Sequence, residues 1–130
     1  MIVVDAGVIV TALGDDGDDG DRARHRLRGE RLAAPYLIDI EVTSAWRRLA
    51  ASGDLPPRRA ALARLDLAAL RLDRVPHLRL LDRCWELRKN LTIYDAAYVA
   101  LAELLETTLL TADRRIGGAT GVRCPIDVLD

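Results

Sequence analysis

Four acidic side chains, Asp5, Glu41, Asp95 and Asp113, stand where a carboxylate calls for an explanation. Asp5 ends the β-branched run Ile2-Val3-Val4, and Asp113 closely follows the apolar Leu109-Leu110. Glu41 intrudes on the edge of an apolar helical stripe, and Asp95 opens a segment that is apolar almost all round. If the four meet, the chemistry is constrained. Two carboxylates about 4 Å apart repel by roughly 4 kcal/mol at an effective dielectric near 20, so four cannot all stay ionised without countercharge. With oxygen donors and no His or Cys beside them, the hard cations Mg2+ or Mn2+ are the natural partners. Such a site promotes in-line attack of water on a phosphodiester.

Each acid also has a plain structural reading. Asp5 can cap a helix over 6–13, Asp113 can cap the short turn that follows it, and Asp95 fits the third helical position of a capping box begun by Thr92. Glu41 can be neutralised by an arginine. What favours convergence is placement. Asp5 and Asp113 fall at the carboxyl ends of expected parallel strands, and Glu41 and Asp95 enter helices that pack at that same edge, where open α/β sheets bind ligands. Arg114 and Arg115 directly follow Asp113 and can lean toward a substrate phosphate, although a solvated helix end explains either of them as well.

The elements that must do this positioning alternate along the chain. Strands are expected over 2–4, 32–35, 70–75, 107–111 and 125–129. Between them, the helix after Pro35 is expected to bury Ile38, Val42, Ala45 and Leu49. A second is expected to bury Leu62, Leu65 and Ala69, and a third Leu80, Cys84, Leu87 and Leu91, widened by Leu81 and Trp85. The segment 96–105 reads as a helix packed between other elements. Positions 14–21, rich in Asp and Gly, read as a solvated loop rather than a calcium site, because Arg26 stands where an EF-hand needs its closing Glu. An Arg-rich surface helix is expected over 21–31. Strands alternating with helices indicate an α/β fold, a three-layer α/β/α sandwich with a mainly parallel sheet.

With 130 residues and 50% hydrophobic content, the chain is sized for a single domain spanning 1–130 with one core. The net charge of −1, with Lys89 the only lysine, argues against gripping nucleic acid by bulk charge. Cys84, Cys124, His25 and His77 lack zinc-ligand spacing. No apolar run approaches the length of a membrane helix and no leader pattern precedes Asp5, so a cytoplasmic, soluble protein without membrane contact is expected.

The chain resembles the PIN-domain ribonucleases, and in particular the VapC toxins of bacterial toxin–antitoxin systems. The likeness spans essentially its whole length. It is carried by Val3-Val4-Asp5-Ala6, by Ala34-Pro35-Tyr36-Leu37 with Ile40-Glu41-Val42, by Tyr94-Asp95-Ala96-Ala97-Tyr98 with Ala100-Leu101-Ala102, and by Leu110-Thr111-Ala112-Asp113. The resemblance implies that Asp5, Glu41, Asp95 and Asp113 form an acidic quartet holding Mg2+ or Mn2+ for RNA cleavage. Thr111 would add a supporting hydrogen bond. It also implies a homodimer and a small antitoxin whose C-terminal segment blocks the site. One departure stands out: the family usually has Ser, Asn or Thr two places after the first Asp, and here that place is Gly7, which offers no side-chain contact.

Two rival phosphate chemistries fit poorly. A haloacid dehalogenase-like phosphatase needs a second Asp at position 7 and a suitably placed lysine, and a phospho-receiver domain lacks its lysine in the same way. The alternative within the fold is a PIN module that binds RNA or protein and cuts weakly or not at all. Gly7 favours that alternative, and retention of all four acids favours catalysis.

Overall fold

The computed structural model describes residues 1–129. Five strands, β1 (Ile2–Val4), β2 (Leu32–Pro35), β3 (Leu72–Val75), β4 (Leu109–Thr111) and β5 (Ile126–Val128), form one sheet in the order β3-β2-β1-β4-β5. Every pairing is parallel. Central β1 lies between β2, with Ile2 opposite Leu32, and β4, with Val4 opposite Leu110. Ile2, Val3 and Val4 are all buried, as a strand covered on both faces must be. The sheet extends first to one side, through β2 and β3, then to the other through β4 and β5. The carboxyl ends of β1 and β4 therefore flank the point where strand order reverses, the usual position of a crevice in such sheets.

Helices α2 (Asp18–Leu27), α3 (Ile38–Ala51) and α4 (Pro57–Ala69) pack around α1 (Ala6–Gly14). Helix α6 (Ile93–Leu104) lies against β1, β2 and β4, with α5 (Leu81–Glu86) packed on it, and the short α7 (Arg114–Gly117) meets β5. The result is the expected α/β/α sandwich, with an all-parallel sheet. In α6 every residue from Ala96 to Ala102 is buried. That follows from an apolar, small-residue helix held between the sheet and another helix.

Two helical faces differ from the sequence expectation. In α3, Ile38 and Val42 are buried, but Leu49 is 36% exposed and Ala45 only half-buried; Trp46, 2% exposed, takes the inner position and donates its indole N–H to the Val10 carbonyl at 3.2 Å. The large ring rotates the buried stripe by one residue. In α4, Leu62 and Leu65 are 47% and 67% exposed, Ala69 is exposed too, and Ala63 and Leu67 face inward. There α4 meets α1 and α3, and the small Ala63 allows the close approach that a leucine would prevent.

Leu80, Cys84, Leu87 and Leu91 are buried as expected, although a 3-10 turn at Leu78–Leu80 and further turns after Glu86 replace a continuous helix. Leu81 and Trp85 are exposed instead of widening that face. The Asp/Gly segment is not a loop throughout. The Asp15 carboxylate accepts the Gly17 and Gly20 amides at 3.3 and 2.8 Å, and α2 begins at Asp18. Cys84 and Cys124 are free thiols. Among the described residues no helix is long and apolar enough to cross a membrane.

Candidate active site

The β1 strand ends at Asp5, whose extended backbone makes it the N-cap of α1: Oδ1 accepts the Val8 amide at 3.1 Å. Its other oxygen, Oδ2, accepts the hydroxyl of fully buried Thr111, the last residue of β4. That hydroxyl in turn accepts the Asp113 amide at 3.0 Å. Asp113 caps α7 through the Arg115 amide and forms a two-toothed ion pair with the Arg115 guanidinium at 2.8 and 3.1 Å. The capping readings of Asp5 and Asp113 are therefore correct. They coexist with convergence, because a cap at the carboxyl end of a strand is also a group at the mouth of the crevice.

Glu41 stands in the first turn of α3, half-buried, and its Oε1 accepts the Tyr98 hydroxyl at 2.7 Å. Thr92 caps α6 by accepting the Asp95 amide at 3.1 Å, which places Asp95 one turn before Tyr98. Asp5, Glu41, Asp95 and Asp113 all line one cleft of about 370 Å³, together with Gly7, Tyr98, Ala112 and Arg114. The Thr111 side chain supports it from the buried side, through Asp5. All four acids named from the sequence are thus brought to the same cleft.

The electrostatics reflect burial first and like charge second. Burial pushes Asp5 up to about 6, with hydrogen bonds from Thr111 and Val8 pulling the other way and the charges of Asp95 and Asp113 adding to the rise. Glu41 is raised by burial, eased by the Tyr98 bond, and raised further by Asp95. Burial also raises Asp95, which feels Asp113 as well. Asp113 alone of the four moves down, held by the Arg115 hydrogen bond. Tyr98 is raised, by burial and by its bond to Glu41, so it remains a proton donor.

Among the described residues no three His, Cys, Asp or Glu side chains stand close enough to share one metal ion. Three acids of the cleft are tethered to other side chains: Asp5 to Thr111, Glu41 to Tyr98, Asp113 to Arg115. The donor type fits a hard divalent ion, since the cleft supplies carboxylate oxygens and no sulfur or imidazole.

Sequence reasoning missed the part of Tyr98, although its place three residues after Asp95 puts both on one face of α6. It also left Arg115 as a residue that can lean toward phosphate, whereas Arg115 is engaged by Asp113. At Gly7, a Cβ would meet Asp5 Oδ1 at 3.5 Å and the Ala112 Cβ at 3.8 Å, ordinary contacts, so nothing in the packing demands glycine.

The PIN domain profile matches residues 2–120. Ribonuclease VapC9 of Mycobacterium tuberculosis is 43% identical over 129 residues, covering 99% of this chain and 98% of that protein. Ribonuclease VapC1 of the same species is 41% identical, covering 98% and 96%. Among solved structures, a toxin–antitoxin complex from Klebsiella pneumoniae superposes with a TM-score of 0.71 at 15% identity, covering 100% of this chain and 98% of that one. VapBC2 from Rickettsia felis, bound to a promoter DNA fragment, superposes with a TM-score of 0.70 at 14% identity over the whole of both chains. With a family match over most of its length, relatives above 40% identity and the fold in common, this chain belongs to the PIN-domain family of VapC ribonucleases.

Proposed function

We propose that this protein is a Mg2+- or Mn2+-dependent endoribonuclease that hydrolyses RNA phosphodiester bonds as the toxin of a toxin–antitoxin pair. One observation carries the reading: four carboxylates from separate elements line one cleft at the strand-order reversal of a chain 43% identical to a named VapC ribonuclease. Asp5, Glu41, Asp95 and Asp113 would hold the cation, and Thr111 supports the site by fixing Asp5. When bound, the cation lowers the pKa of a water and neutralises charge at the scissile phosphate. The chain's own residues prepare that step. Thr111 and the Val8 amide hold the Asp5 carboxylate in one rotamer. Thr92 caps the helix that brings Asp95 to the cleft. Arg115 keeps Asp113 ionised through its ion pair.

An antitoxin partner is supported by the toxin–antitoxin complexes that share the fold. Uncovered apolar side chains on α4, Leu62 and Leu65, and along the turn into α5, Leu78, Leu81 and Trp85, offer surface of the kind that an antitoxin and a second copy of the chain would bury. A cytoplasmic location accords with an RNA substrate.

Cleavage of a structured RNA by the purified protein with added Mg2+ or Mn2+, compared with Asp5→Asn and Asp95→Asn, tests the nuclease reading. Loss of cleavage in both variants is expected. Equal residual cleavage in all three proteins would remove the mechanism and leave the non-cutting PIN module that Gly7 favours.

A further inference from the structure

Tyr98 lines the acidic cleft as a neutral side chain and donates a hydrogen bond to one of its carboxylates, yet its position is set by packing rather than by the cleft. The residue is 1% exposed, in the run of α6 residues enclosed between the sheet and α5. With the ring fixed, its hydroxyl has little freedom to move, and it donates to Glu41 Oε1 at 2.7 Å. Glu41 is the opposite case. It sits half-buried at the cleft margin on α3, with three side-chain torsions and solvent within reach. A free glutamate there loses substantial rotamer entropy on being ordered. The Tyr98 bond imposes that order in advance and occupies only Oε1, leaving the second oxygen outside the bond. Because Asp95 and Tyr98 lie one turn apart on α6, the same helix delivers one carboxylate and fixes another that belongs to α3.

We propose that Tyr98 is a positioning residue that holds the Glu41 carboxylate at the cleft with its second oxygen left for the cation, acting through Glu41 and not on the substrate. The proposal rests on the metal-dependent reading of the cleft given above. A merely structural phenol would use Glu41 as a convenient acceptor for a buried hydroxyl, and removing that hydroxyl would then leave cation binding as it was. A hydrogen-bond partner that orients a metal ligand instead affects affinity, typically by about 10- to 100-fold when removed.

The test uses Mn2+ alone, without RNA, and reads bound metal from the loss of the free Mn2+ electron paramagnetic resonance signal in wild type, Tyr98→Phe, Glu41→Gln and the double variant. Tyr98→Phe keeps the buried ring and is expected to weaken Mn2+ binding by about 10-fold. In the Glu41→Gln background the same change is expected to add nothing, because its route of action is gone. Unchanged Mn2+ affinity in Tyr98→Phe, with Glu41→Gln weakened, overturns the role of Tyr98 and leaves the metal site standing. Additive effects in the double variant overturn it too, since Tyr98 would then act independently of Glu41. Equal binding by wild type and Glu41→Gln overturns the part of Glu41 in the metal site, and this inference with it. A second measurement requires no substitution: the Tyr98 hydroxyl proton, followed by NMR in the wild-type protein, is expected to persist at saturating Mg2+, and its loss on metal binding overturns the proposal.

Discussion

Thr111 and Asp5, far apart in sequence and adjacent across the β1–β4 pair, share a buried hydrogen bond in which the threonine hydroxyl donates to the carboxylate while accepting the Asp113 amide. One hydroxyl thus couples two of the four acids. Thr111→Val preserves shape and removes both bonds. Since a hydrogen bond to a charged group is worth about 1.5–3 kcal/mol, the variant is expected to lose about that much stability at neutral pH. Asp5, deprived of the bond that lowers its pKa, is expected to titrate above about 6. Urea unfolding and NMR titration of the Asp5 carboxyl check the two effects.

The pH dependence of the metal-free protein follows from Asp5. Its folded pKa of about 6 lies above the ordinary 3.8, so the native state holds this proton more tightly than the unfolded chain. The stability it contributes is complete below 3.8 and is lost as pH rises through about 6, a change on the order of 3 kcal/mol. Glu41 and Asp95 are raised and act in the same direction; Asp113 and Glu103 are lowered and oppose them. Thermal midpoints measured in the presence of a chelator are expected to fall as pH rises from about 5 to about 7. Added Mn2+ should raise the midpoint far more at the upper end of that range, because protons and cation compete for the same oxygens.

Asp95→Asn separates function from stability. It removes a charge that raises both Asp5 and Glu41, so the metal-free variant is expected to melt higher than wild type at neutral pH. Cleavage is expected to drop by more than about 100-fold, the upper range for losing even an outer partner of a metal ligand. A lower melting point together with retained cleavage would contradict both halves of the account.

Gly7 lies in the first turn of α1 with room for a side chain. Gly7→Ser is expected to fold normally and to gain about 0.5 kcal/mol from helix propensity. It places a hydroxyl beside Asp5, and a several-fold rise in cleavage rate is the expected outcome, read in the same RNA assay.

Gly20 behaves in the opposite way. A Cβ there would fall 1.9 Å from the Asp15 carbonyl oxygen, a backbone atom that cannot rotate aside. Gly20→Ala is expected to cost at least the roughly 1–3 kcal/mol of ordinary overpacking, by forcing α2 away from the end of α1. Denaturant unfolding measures it.

The strands, the all-round burial of α6 and the four acids at element ends were legible in the sequence, because each is written in a local pattern: a β-branched run closed by Asp5, an apolar helix opened by Thr92 and Asp95, a capping Asp113 after Thr111. The phases of α3 and α4 were not. They depend on which side chain fits between two helices, so Trp46 displaced Ala45 and Leu49, and Ala63 displaced Leu62 and Leu65. The partners inside the cleft were set at the same level. Local sequence does not say which side chain each acid meets when the partner comes from a distant element, and only the folded chain pairs Thr111 with Asp5 and Tyr98 with Glu41.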